Sequence, residues 1–304
     1  MIANFINCII NLSKIHTFIL NNYVDGTTPT SINNLRKFHN LIKKDLILQS
    51  VSETKAECLL DIACGRGGDI HKWMMARLKC VYAFDSHHES VNEAISRFNE
   101  IKKNNRGKIP PRPHQGPFIK FKTLNSLNSN IIELVNQFDN NKVYDVVSCQ
   151  FALHYFSEND NTLRNILTLV SKKLKKGGLF IGTASDGDLI KQNLDVGNVN
   201  IPLLNLSKTN NNNYSFYINE NQSQSTINYF ELQGVSSEYY LLKDKFKNIA
   251  EETGIGLELV QFKSFYDWYN EIILKSKGSN KTIQLSPYEM IVSFLNFSFI
   301  FRKK

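Results

Sequence analysis

The chain is short of the residues that would tie it to the cell exterior, a membrane or a metal. Among 304 residues there are five cysteines, Cys8, Cys58, Cys64, Cys80 and Cys149, and no two are spaced C-x-x-C. That pattern carries neither a zinc motif nor a disulfide framework, and is the pattern of reduced, intracellular thiols. No run reaches the ~18 apolar residues a membrane span needs. The first twenty residues are fairly apolar, but Asn4, Asn7, Asn11, Lys14 and His16 interrupt them and no basic leader precedes them, which argues against a signal peptide. The Asn-x-Ser/Thr triplets then reflect an asparagine-rich sequence and have no bearing on glycosylation. No internal repeat is visible.

What is there is ordinary globular material. With 42% hydrophobic and 21% charged residues, the chain can bury a sizeable core, as one large α/β domain or two small ones. A net charge of +8 and a pI near 9.1 suit a polyanionic partner without requiring one.

The informative stretch is Leu59-Leu60-Asp61-Ile62-Ala63-Cys64-Gly65-Arg66-Gly67-Gly68-Asp69-Ile70. An apolar run, Cys58 to Ile62, reads as a buried strand. It breaks at three glycines, and a helical pattern through Ile70, Trp73, Met74 and Leu78 follows. Such a turn exposes backbone N–H groups beside the positive end of a helix, and glycine lets a ligand lie against bare backbone. Asp85 closes a second apolar run about 20 residues later, where a nucleotide fold carries its ribose-binding carboxylate. The spacing is not G-x-G-x-x-G, which weighs against NAD.

From residue 58 the pattern is βαβα. It predicts strands at 58–62, 80–84, 118–124, 143–149 and 178–184, and helices at about 69–78, 88–103, 129–138 and 160–175. This alternation indicates an α/β fold with a parallel sheet and helices on both faces. Upstream, residues 2–20 read as a helix, Gly26 to Ser31 as a turn, and Ile32, Leu35, Phe38, Ile42 and Leu46 as the apolar face of another helix, with Arg36, His39, Lys43 and Lys44 on its other side. Residues 104–114 form a proline-rich basic loop. Lys172 to Gly178 reads as a helix end, cations on the dipole and then glycine. Residues 193–213 look loop-rich with an asparagine tip, Tyr214–Ile218 and Thr226–Leu232 look like an inserted hairpin, and Ile291–Phe301 looks like a closing strand.

Five ordered stretches resemble the mRNA cap guanine-N7 methyltransferases, class I enzymes that use S-adenosylmethionine. They are Leu35 to Lys43, the Asp61–Trp73 loop, Phe84-Asp85, Gln150-Phe151-Ala152-Leu153-His154-Tyr155, and Gly178 to Thr183 followed by Glu238-Tyr239. The resemblance spans about residues 31–304. It implies a Rossmann-like seven-strand sheet with an N-terminal helical extension (1–30) and an insertion at about 186–235 near the cap pocket. It also implies methyl transfer to N7 of the GpppN cap. Guanine N7 has a free lone pair at neutral pH, so the resemblance calls for alignment and exclusion of water, with no catalytic base and no metal.

Carried over residue by residue, the cofactor site comprises Lys43, Asp61, Ala63, Gly65, Gly67, Asp69, Asp85, Asn125 and Gln150. Lys43 would meet the methionine carboxylate, Asp61 and Asp69 the amino end, and Asp85 the ribose. The cap site comprises His39, Arg66, Arg97, His154, Tyr155, Glu238 and Asn296, with Glu238 on the guanine edge and the arginines on the triphosphate. Taken singly, Asp69 is equally a helix-start acid, Asp61 a residue satisfied by local N–H groups, Glu238 a surface glutamate and His154 a packed histidine. Four positions depart from the family pattern: His39 stands where Asn is usual, Asn125 near an Asp, Ser185 for a proline and Asn296 for a tyrosine. The implied partner is capped RNA, with RNA triphosphatase and guanylyltransferase fused or associated. A capping enzyme of a large DNA virus is the implied source, acting in the cytoplasm or virion, or in the nucleus if cellular. The alternatives are the same fold methylating another substrate, and an inactive cap-binding subunit.

Overall fold

A computed structural model describes residues 32–105, 116–201, 203–218, 236–276 and 283–304. The expected helix at 2–20, the turn at 26–31, most of the 104–114 loop and the strand at 226–232 lie outside them. In chain order the elements are α1 (Asn33–Thr54), β1 (Cys58–Ile62), α2 (Ile70–Met75), β2 (Cys80–Asp85), α3 (His88–Asn105), β3 (Phe118–Thr123), α4 (Ile131–Asp139), β4 (Tyr144–Gln150), a one-turn 3-10 helix (Leu153–Phe156), α5 (Asp160–Lys173) and β5 (Leu174–Ser185). There follow α6 (Gly187–Leu194), β6 (Val199–Asn200), β7 (Leu204–Lys208), β8 (Asn213–Ile218), β9 (Ser236–Tyr239), α7 (Lys243–Ala250), β10 (Leu257–Ser264), α8 (Phe265–Ser276), α9 (Pro287–Phe294) and β11 (Asn296–Lys303). No described helix is long and apolar enough to cross a membrane.

The chain forms two compact units. The second takes the segments Lys43–Thr183, Phe246–Phe262 and Ser298–Lys304. Its framework is a seven-stranded sheet in the order β10-β11-β5-β4-β1-β2-β3. The pairs β1–β2, β1–β4, β2–β3 and β4–β5 are parallel. Four successive residues of β1, Leu59 to Ile62, are buried, as a strand covered on both faces requires. Chain order reverses between β1 and β4, and ligands of open α/β sheets bind outside the carboxyl ends of strands at such a point. That reversal places the glycine loop and Gln150–Tyr155 on neighbouring strand ends.

Three features of this unit differ from the sequence reading. Cys58 and Cys80 are joined by a disulfide, because the β1–β2 register sets them side by side with Cα atoms 4.7 Å apart. Helix α5 stops at Lys173 and β5 begins at Leu174, so Gly177 (φ +78°) serves a strand irregularity where the β4–β5 register shifts. Lys173 is also more than a dipole cation. It is fully buried, 2.8 Å from Asp139 Oδ1, while Tyr144 OH donates to Asp139 Oδ2 at 2.9 Å. Gly182 of β5 is fixed by sterics: an added Cβ would lie 2.0 Å from Cys149 O and 2.4 Å from Phe299 Cζ.

The first unit takes the segment ending at Ile42, Ala184–Lys245 and Lys263–Phe297. In a four-stranded antiparallel sheet, β6-β7-β8-β9, the strands β6 and β7 occupy the stretch at 193–213 expected to be loop-rich, while β8 coincides with the strand expected at 214–218. The alternation Leu204-Asn205-Leu206-Ser207 is the period-2 signal for β7, and Asn210 to Asn212 turn the β7–β8 hairpin. The expected closing strand at 291–301 divides into α9 and β11. A capping box, Ser286 with Glu289, starts α9, and Glu289 Oε1 also accepts from Leu35 N of α1 at 2.9 Å. Phe38 packs edge-on against Phe265 and Tyr269 of α8.

Removing one partner of a buried ion pair leaves the other uncompensated. Asp139→Asn keeps shape and volume but strands the Lys173 ammonium, so urea unfolding should show a loss of about 3–5 kcal/mol. A loss below about 1 kcal/mol would mean that Lys173 reaches water.

Candidate functional site

Backbone geometry sets the loop after β1. Ala63, Gly65 and Gly67 all have positive φ, at +58°, +50° and +72°. A non-glycine residue held there is strained and needs support from its surroundings. Asp85 supplies part of it from the end of β2. Its Oδ2 accepts from Gly65 N at 2.9 Å and its Oδ1 from His87 N at 2.9 Å, so one carboxylate ties two strand-end loops together. At Gly67 an added Cβ would meet Ile70 Cδ1 at 2.7 Å and Ala94 Cβ at 3.0 Å. This glycine therefore lets the loop pack on α3; a ligand need not be invoked for it.

Charge is concentrated behind the loop. Lys43 of α1 lies 2.9 Å and Lys72 of α2 2.7 Å from the same Asp69 oxygen, and all three side chains are nearly buried. Lys72 also donates to Gly68 O at 3.0 Å. Burial alone would raise the Asp69 pKa, but the ammonium of Lys43 and then that of Lys72 hold it at about 2. Asp69 precedes α2 without capping it. The Lys72 pKa is lowered, first by burial and against the attraction of Asp69, with Lys43 adding repulsion. The cluster has two cations for one anion.

Asp61 is the opposite case. It is buried on β1, and its Oδ1 has no hydrogen-bond partner among the described residues. Burial first, and the Asp69 charge second, push its pKa up to about 8, against a hydrogen bond from Ser148. Ser148 stands opposite Asp61 in the β1–β4 register and accepts from Gln150 Nε2 at 3.2 Å; Gln150 Oε1 accepts from Thr183 Oγ1 at 3.1 Å. A polar chain thus runs from Asp61 across β4 to β5. Phe151, at φ +56°, follows it with its ring 6.0 Å from Lys43 Nζ.

The remaining sequence-expected residues of this unit have local partners of their own. Arg66 Nη1 is 3.1 Å from Glu93 Oε2, and Arg97 pairs with the other oxygen of Glu93. Asn125 is exposed just after β3, its Oδ1 accepting from Leu127 N at 2.9 Å. His154 is buried in the 3-10 turn, 4.3 Å from the half-exposed ring of Tyr155. The first unit holds His39, Glu238 and Asn296. His39 Nε2 is 2.9 Å from Ser293 Oγ, and Asn296 Nδ2 donates to Ser293 O at 3.1 Å, so these two departures from the family pattern meet on α9. Glu238 is buried on β9 and accepts from Tyr214 OH at 2.6 Å across the β8–β9 register.

Sequence reasoning gave no role to Lys72, Glu93, Ser148 or Tyr214. Lys72 and Glu93 carried a signal, since each stands at helical spacing from a singled-out residue, Asp69 and Arg97. Ser148 and Tyr214 carried none, because only strand register brings them to Asp61 and Glu238.

Comparison with known proteins finds relatives over most of the chain. Residues 23–288 match the model of the mRNA (guanine-N(7))-methyltransferase domain. The chain is 27% identical to mRNA cap guanine-N(7) methyltransferase 1 of Arabidopsis thaliana, over 93% of this chain and 78% of the plant protein. It is 30% identical to the Schizosaccharomyces pombe mRNA cap guanine-N(7) methyltransferase over 78% of this chain and 63% of that protein, and 28% identical to the Cryptococcus neoformans one over 81% and 37%. Among solved structures, an S-adenosylmethionine-dependent methyltransferase from Clostridium acetobutylicum shares the fold with a TM-score of 0.52 at 15% identity, covering 88% of this chain and 96% of that one.

Asp61 gives the site a pH signature. Folded, it keeps its proton up to pH about 8; unfolded, it releases it near the ordinary value of 3.8. The folded state therefore binds the extra proton between those values, and stability falls as pH rises through that window, by at most about 1.4 kcal/mol per pH unit. Asp61→Asn should remove the slope, so the variant should gain on wild type in denaturant unfolding from pH 5 to pH 8. Parallel stability profiles would place Asp61 in contact with water.

Proposed function

The chain belongs to the mRNA (guanine-N(7))-methyltransferase family and acts on guanine N7 of the mRNA cap; on that premise we propose that the loop after β1 holds S-adenosylmethionine by its amino-acid end. The observation that carries this is the charge count. Lys43 and Lys72 exceed Asp69 by one buried positive charge, while Asp61 is a buried carboxyl with an unpartnered oxygen. The lysine pair can take an added anion, and Asp61, a buried neutral acid in the free protein, ionises only beside an added cation. An α-amino acid zwitterion supplies both at once, its carboxylate to Lys43 and its ammonium to Asp61.

Bound there, S-adenosylmethionine supplies an electrophilic sulfonium methyl. Asp85, with Gly65 and His87 already donating to it, has acceptor capacity left on both oxygens for the ribose hydroxyls. Asn125, after β3, is assigned to the adenine side. No residue is asked to remove a proton, because guanine N7 attacks through a free lone pair. Glu238 is assigned to the paired N–H groups of the guanine edge, and Tyr214 OH fixes the orientation of its carboxylate. Arg66 and Arg97 are assigned to the triphosphate, and His154 and Tyr155 to the guanine surroundings. His39 and Asn296, both held on Ser293, are likewise assigned to the cap. The substrate is capped RNA, which RNA triphosphatase and guanylyltransferase steps must supply, on the same or an associated polypeptide.

Incubation of GpppA-RNA with methyl-labelled cofactor, followed by nuclease digestion, should place the label on N7-methylguanosine; label on a ribose or on adenine would contradict the assignment. Glu238→Gln sets an NH₂ donor against a guanine donor, so methyl transfer should fall by at least ~10² while S-adenosylhomocysteine binding stays near wild type. A wild-type rate for this variant would move guanine recognition away from Glu238.

A further inference from the structure

Glu93 stands between the two arginines assigned to the triphosphate. Arg66 Nη1 approaches one of its oxygens at 3.1 Å, and Arg97, one helical turn further along α3, takes the other. The three side chains are partly exposed, at 32%, 37% and 46% for Arg66, Glu93 and Arg97. Arg66 Nε is buried with no acceptor among the described residues, so Glu93 leaves that guanidinium unsaturated. Two cations from separate elements, the glycine loop and α3, thus converge on one planar anion. A carboxylate that bridges two guanidinium groups uses the donors a phosphate would use.

We propose that Glu93 is an internal stand-in for a cap phosphate. It keeps Arg66 and Arg97 together in the free enzyme and releases them when the triphosphate binds. The inference rests on the assignment of Arg66 and Arg97 to the triphosphate. Any incoming anion must displace Glu93, and the clustered charge of a triphosphate does so better than an isolated phosphodiester. Glu93 is therefore a positioning residue that trades affinity for discrimination between capped ends and internal RNA.

The test is Glu93→Gln, with Arg97→Ala alongside, in binding of GpppA-RNA and of an uncapped 5′-hydroxyl RNA of the same sequence across a salt series. Removing the competing anion should tighten GpppA-RNA binding about 3–10-fold at low salt and steepen the log–log salt dependence by about one phosphate contact. Uncapped RNA should gain more than GpppA-RNA, so discrimination shrinks; an equal gain would overturn the discriminating role of Glu93. S-adenosylhomocysteine affinity, unchanged, verifies that the loop is intact. If Arg97→Ala weakens binding and flattens the slope while Glu93→Gln fails to tighten binding or to steepen the slope, the stand-in role is overturned and the phosphate assignment survives. If Arg97→Ala changes neither affinity nor slope, the phosphate assignment fails and the inference falls with it.

Discussion

Two ammonium groups, on Lys43 and Lys72, share the buried carboxylate of Asp69, while Asp61 nearby is a buried, protonated carboxyl whose Oδ1 has no hydrogen-bond partner among the described residues. Burying an ion without its counter-ion costs several kcal/mol even after relaxation. A fold keeps such an arrangement only where a ligand or another constraint offsets it. Here the imbalance has a direction: surplus positive charge at the lysine pair, beside a neutral Asp61 that ionises only next to an added cation. In the proposed site one zwitterion answers both, and its carboxylate offsets the cost of holding two ammonium groups around one buried carboxylate.

The surrounding geometry keeps those charges from relaxing away. Lys72 is pinned to Gly68 O, so the glycine loop cannot move without breaking the cluster. Asp85 clasps the same loop through Gly65 N, and Gly67 presses it against α3 where a side chain would collide. Asp61 is steadied through Ser148, Gln150 and Thr183, a relay that works because β1, β4 and β5 are adjacent and in register. The first unit repeats the principle on a smaller scale, with Tyr214 OH holding the Glu238 carboxylate.

Much of this was legible in the chain, and the limits have physical causes. The glycine loop, Asp85 and the βαβ pattern could be read because strand-to-helix turns have local signatures. The pairings of Asp61 with Ser148, Glu238 with Tyr214 and Cys58 with Cys80 could not, since each depends on which strands lie side by side and in what register. Lys173 looked like a helix-end cation because it stands in the last turn of α5, and only the fold shows it facing buried Asp139. The division of 291–301 into α9 and β11 was hidden by a run apolar enough for either element, and the Ser286–Glu289 capping box was the local signal that decides it.

The zwitterion site is tested most directly by counting protons on ligand binding. Calorimetric titration of S-adenosylhomocysteine at pH 7, repeated in buffers of different ionisation enthalpy, gives the number released. In the free protein Asp61 holds its proton, with a pKa of about 8, and beside the ligand ammonium it must give it up. Wild type should therefore release close to one proton per ligand bound, and Asp61→Asn close to none. Binding without proton release in wild type, or equal release from both proteins, would contradict the assignment of Asp61 to the amino end of the cofactor.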